Sequence, residues 1–121
     1  MPAAKTELIF EQGALFDYAW VWLMPDRLTP RDLTGWAGHL QVRSESSPDP
    51  VVDLSTDNGG IIIDGKRGLF QLWMEPVDTA LLTPEQFGKR AEFDLYLWVP
   101  GTPIRRRMLE GPAKLEVAVT R

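Results

Sequence analysis

Proline and glycine decide first what this chain can fold into. Ten of each are spread along its length and cut it into short apolar runs, a spacing that favours strands over helices. Within the runs apolar residues recur at every second position: Leu40 and Val42; Phe70, Leu72 and Met74; Phe93, Leu95, Leu97 and Val99; Leu115, Val117 and Val119. A period of two places each set on one face of a strand, where it can meet a shared core. The pattern predicts strands at Glu7 to Phe10, Leu15 to Met24, Trp36 to Arg43, Val51 to Leu54, Ile61 to Asp64, Leu69 to Met74, Glu92 to Val99, Ile104 to Glu110 and Lys114 to Val119. Seven to nine short strands suit an all-β, two-sheet antiparallel sandwich.

Between Met74 and Glu92 the pattern changes. "PVDTALLTPEQF" has two prolines and Asp78 or Thr79 as a cap, and it predicts a short helical turn bridging the sheets. "DNGG", Asp57 to Gly60, is the strongest hairpin signal, because Asn and Gly both tolerate positive φ, and "PGTP" at Pro100 to Pro103 predicts the next hairpin. "PDRLTPRDLTG" and "ESSPDP" are turn-rich loops too short to separate domains. The 121 residues therefore read as one domain, able to bury roughly two thirds of its unfolded surface. Met1 to Glu11 is a candidate exchanging strand, staying in its own sandwich or crossing to a neighbour.

In "LFDYAWVWLM" the aromatic residues Phe16, Tyr18, Trp20 and Trp22 alternate with Leu15, Ala19, Val21 and Leu23, so both faces are apolar apart from Asp17. Such a strand is buried on one side and covered by something on the other. Most of the aromatic stripe is expected in the core, with Trp22 and Met24 reaching a surface that a neighbouring subunit could cover.

The absence of cysteine removes disulfides, thiolate nucleophiles and cysteine metal sites together. A formal charge of −4 disfavours attraction to nucleic acid or anionic lipid. The N-terminus shows neither a long apolar run nor a small-residue cleavage site, so the chain reads as soluble and not exported by the usual route. His39 is the single histidine, with no zinc partners and no Gly-x-Ser-x-Gly nucleophile to serve, and is read as an ordinary strand residue. Asp53, Ser55, Asp57 and Asp64 mimic a calcium loop, but Asn58 stands where glycine is needed and Asp64 replaces the bidentate glutamate. No spacing singles out a pair of carboxylates for glycoside hydrolysis. Arg105, Arg106 and Arg107 form the one cationic run; in a strand the first and third point one way and the second the other, and the acidic whole favours a solvated or interface-pairing strand over a phosphate site. No cofactor or metal is expected.

Six stretches then occur in a telling order: "FEQGALFDYAWVW", "RDLTGWAGHLQVRSE", "VVDLSTDNGGIIID", "GLFQLWMEPVDTALL", "AEFDLYL" and "MLEGPAKLEVAVTR". From Phe10 to Arg121 the chain resembles a family of small proteins encoded by tailed bacteriophages and prophages, with an immunoglobulin-like β-sandwich of the kind found in baseplate and tail-fibre proteins. The resemblance implies a non-enzymatic virion structural protein of the tail, neck, baseplate or capsid decoration. It would oligomerise with itself and with other virion proteins, located in the virion and, during assembly, in the host cytoplasm. It also implies structural roles for Leu33, Gly35, Trp36, Thr79 and Leu81, with Asp32 and Thr34 shaping a turn at Gly35. The candidate interface residues are Trp20, Trp22, Trp98, Arg105, Arg106 and Arg107. Five tryptophans in a sandwich support a competing reading, a carbohydrate-binding module with exposed aromatic faces.

Overall fold

A computed structural model describes residues 3–119 as two β-sheets packed face to face. Met1 and Pro2 of the candidate exchanging strand, and the last two residues of the motif "MLEGPAKLEVAVTR", lie outside the described residues. The strands are β1 (Ala4–Lys5), β2 (Leu8–Glu11), β3 (Phe16–Val21), β4 (Ala37–Ser44), β5 (Val52–Ser55), β6 (Ile61–Asp64), β7 (Leu69–Met74), β8 (Ala91–Trp98) and β9 (Arg105–Glu116). One sheet has the order β1-β9-β8-β4-β5, with β2 continuing β1 along β9; the other has the order β3-β7-β6. In immunoglobulin lettering these are G-F-C with C′ facing B-E-D, and the first strand has moved to the G edge. That move makes its pairing with β9 parallel, an exception to the antiparallel pairing expected throughout.

The stripes read from the sequence build the core where they come from the middle of the sheets. Leu40, Val42, Leu72, Leu95 and Leu97 are fully buried, and Phe10 and Leu8 of the N-terminal strand join them. In this structure the two N-terminal strands pair along β9 of the same chain. The final stripe does not follow the rule: Leu115 is half-buried, whereas Val117 and Val119 are exposed because β9 ends at Glu116.

The predicted break between Ile104 to Glu110 and Lys114 to Val119 is absent, and β9 runs through it. A register shift against Leu95 and Tyr96 inserts one extra residue, which lets consecutive Met108 and Leu109 both bury. Pro112 is tolerated because its position falls opposite the gap between β1 and β2, where the ladder is already interrupted. Gly111, at φ 155, is required there: a Cβ would stand 1.8 Å from the Thr6 carbonyl oxygen.

"PGTP" makes the β8–β9 hairpin as predicted. "DNGG" does not make a hairpin, since β5 and β6 lie in different sheets. It is a corner: Gly59 takes the left-handed backbone at φ 79, and Asn58 shapes the turn with its side chain. Its Oδ1 accepts from Ser55 N and Gly60 N at 2.9 Å each, and its Nδ2 donates to Asp53 O at 2.9 Å.

The segment after Met74 holds two short helices, α1 (Pro76–Thr79) and α2 (Pro84–Phe87). Neither Asp78 nor Thr79 caps them: Glu75 precedes α1, and Thr83 opens α2 in a capping box with Gln86. Thr79 is instead fully buried, donating from Oγ1 to Ala14 O at 2.8 Å. Leu81, expected to be structural, is exposed, and its neighbour Leu82 takes the core position. The Asp32 turn forms as expected, with Asp32 Oδ1 accepting from Thr34 N at 2.9 Å and from Thr34 Oγ1, Gly35 at φ 84, and Leu33 fully buried.

The aromatic stripe of β3 faces inward. Phe87, Phe10, Phe16, Tyr18, Trp20 and Phe70 form a continuous ladder of rings, with Phe10 and Phe16 stacked at 4.1 Å. The Tyr18 hydroxyl accepts from Ile9 N at 3.2 Å and so ties the two sheets at that margin. Leu15, Val21 and Leu23 on the opposite side are 40–47% exposed, so nothing among the described residues covers them.

Candidate docking surface

Alternation along β8 sends Phe93, Leu95 and Leu97 into the core, and therefore turns Glu92, Asp94, Tyr96 and Trp98 outward. Register with β4 and β9 then assembles a grid on the outer face of the larger sheet. Trp98 stands beside Arg105; His39, Tyr96 and Arg107 form the next row; Asp53, Gln41, Asp94, Glu110 and Lys5 form the row below.

The aromatic and cationic end is tightly organised. The Arg105 guanidinium lies 4.2 Å from the centre of the Tyr96 ring and 5.6 Å from that of Trp98. Arg107 Nε donates to the Tyr96 hydroxyl at 3.1 Å, and its Nη1 donates to Glu110 at 3.0 Å. The Tyr96 contact and the Glu110 carboxylate hold the Arg107 pKa above its ordinary value.

The acidic row is mostly satisfied within the chain. Glu110 accepts from Lys5 at 2.7 Å and from Arg107, and those contacts keep its carboxyl below the usual range. Burial pushes the Asp53 carboxyl up, but hydrogen bonds from Gln41 and His39, with the positive charge of Arg43, outweigh it and leave the pKa lowered. Arg90 pairs with Glu92 at 2.6 Å. Asp94 is different: among the described residues its carboxylate has no ion-pair or hydrogen-bond partner.

Of the interface residues proposed from sequence, Trp98, Arg105 and Arg107 come together on this face. Arg106 points to the other side of β9, at an exposed end of the sheet. Trp20 is half-buried in the inward ladder. Trp22 is half-buried beyond β3, packed edge-on against Trp36 at 5.5 Å, with Arg31 4.7 Å from its ring centre. Tyr96, Asp94 and Lys5 were not singled out from sequence. The first two were legible in the alternation of "EFDLYLW"; Lys5 was not, because its place depends on the parallel pairing of β1.

The strands carrying Asp53 and Asp64 lie in different sheets, so the calcium-like spacing does not become a loop around one cation. No helix among the described residues is long and apolar enough to cross a membrane. Comparison with protein-family models finds no match, and comparison with curated proteins finds none either.

Proposed function

We propose that the protein is a non-catalytic structural part of a tailed-bacteriophage particle, acting by docking onto copies of itself and onto other virion proteins. The phage assignment rests on the ordered motifs from Phe10 to Arg121. The docking role rests on one observation: a rigid sheet presents Tyr96, Trp98, Arg105 and Arg107 side by side. Aromatic residues and arginine dominate the energetics of protein interfaces: aromatic rings bring large contact area with few bonds to freeze, and arginine brings a planar fork of donors that also stacks on those rings. The acids nearby favour the same reading. Asp53 and Glu110 are held ionised by their neighbours, which suits fixed charges better than the proton exchange a general acid requires.

The test is to separate particles from the strain carrying the coding sequence on a density gradient and to quantify the chain by mass spectrometry. Co-banding with particles at a fixed copy number is the expected result. Recovery only in the soluble fraction, when particles are present, would overturn the virion assignment.

A further inference from the structure

On the outer face of the larger sheet Arg105 stands at one end of β9 with Arg107 one row in, and Asp53, Asp94 and Glu110 lie in a row two rows on from Trp98, joined there by Lys5. Most of these charges are paired within the chain. Arg105 and Asp94 are left over: Arg105 rests on aromatic rings with no acid partner among the described residues, and the Asp94 carboxylate has no partner there at all. Asp94 also stands directly opposite Glu110 on β9, a like-charge cross-strand pair that repels unless a cation joins it.

We propose that this face closes a two-fold symmetric dimer, in which a second copy of the chain lies face to face with its strands reversed. A two-fold axis running across the strands through the Tyr96 row lays each copy's Arg105 end on the partner's acidic row, while Arg107, in the Tyr96 row and bonded to its own Glu110, stays near the axis. If residue i meets residue j, then j meets i, so each Arg105 approaches the partner's Asp94 and both leftover charges are satisfied twice. Tyr96, in the row between them, meets its own counterpart near the axis. The occupant is a second copy because the pattern complementary to this face is the face itself. Nucleic acid fits poorly, since phosphates would meet the acidic row and a chain of net charge −4.

This deepens the docking role proposed above, and its test is read on isolated protein so that the two can fail separately. Solution mass is measured by light scattering across a concentration series for the wild type, Arg105→Glu, Asp94→Arg, and an equimolar mixture of the two variants. The wild type should be a dimer that loosens with salt, and each variant alone should dissociate about tenfold or more readily, because both of its symmetric contacts become like-charged. The mixture should regain the dimer mass, since each interface then places an acid against an arginine. Both positions are surface-accessible, so melting temperatures should stay near wild type; if a reversal unfolds the chain, Arg105→Gln and Asp94→Asn test the same contact more mildly. A wild type still monomeric at about 0.2 mM would overturn the dimer while leaving particle co-purification standing. So would a dimer indifferent to both substitutions, or a mixture that stays monomeric.

Discussion

The two sheets face each other across one core but are built on different terms. The larger sheet is amphipathic: its inner face is Leu, Val and Phe buried almost to completion, and its outer face is a lattice of ion pairs. The smaller sheet is largely apolar on both sides, with Asp17, Gln71 and Asp64 as the polar residues of its outer face. Its inner face carries aromatic rings, and its outer face exposes Val21 and Ile62 with half-buried Leu69 and Trp73. The difference follows from width. Three strands cannot cover a sheet five strands wide with small side chains, so the narrow sheet covers one margin with Phe16, Tyr18 and Trp20, while Leu82 and Phe87 of the helical segment help close the core. Large rings give coverage at the cost of incomplete burial, whereas the central leucines of the wide sheet are sealed.

That contrast predicts unequal losses on truncation. Phe10→Ala removes a ring with no exposed surface, stacked between Phe16 and Phe87, and should lower unfolding free energy by about 3–5 kcal/mol in urea titration. Trp20→Ala, half-buried at the ladder's other end, should cost clearly less despite its larger ring. Equal losses would mean that the rings of the narrow sheet are as sealed as the centre. A loss under about 1 kcal/mol for Phe10→Ala would mean that the N-terminal strand is not an integral part of the sandwich.

A smaller effect tests the edge of the wide sheet. Gly111→Ala drives a methyl against the Thr6 carbonyl at a backbone angle that favours glycine, and neither backbone can retreat without parting the N-terminal strand from β9. The expected cost is about 1–3 kcal/mol, with hydrogen-exchange protection falling first at Leu8 and Phe10. Unchanged protection there would show that the parallel edge holds without this close approach.

How much of this was legible beforehand follows the same division. Alternation is a local signal, so Leu40, Val42, Phe93, Leu95 and Leu97 declare their face within a few residues, and with them the all-β sandwich. Sheet membership is not local. Asn58-Gly59 reads as a hairpin because nothing in "DLSTDNGGIIID" says that its two strands will join opposite sheets. Likewise "EGP" reads as a break, since the gap that accommodates Pro112 is made by a strand more than a hundred residues earlier. The docking face falls between these cases: Arg105, Arg107 and Trp98 were readable as residues, but their meeting with Tyr96 and Asp94 depended on the register of the hairpin.

The smallest expected effect is electrostatic and should belong to the wide sheet and to the turns. Asp53 and Glu110 have folded pKa values lowered by their neighbours, so each contributes stability that is complete above its unfolded value, near 4, and is lost as pH falls through the lower folded value. Asp26 and Asp32 carry the same sign from hydrogen bonds with Thr29 and Thr34 in the loop between β3 and β4. Chemical denaturation between about pH 5 and pH 2 should therefore show falling stability, and the double variant Asp53→Asn, Glu110→Gln should flatten that slope while changing little at pH 7. If the slope survives in the double variant but flattens in Asp26→Asn, Asp32→Asn, acid sensitivity lies in the turn. The ionic lattice of the outer face would then be free to exchange its internal pairs for contacts with a partner at little cost to the fold.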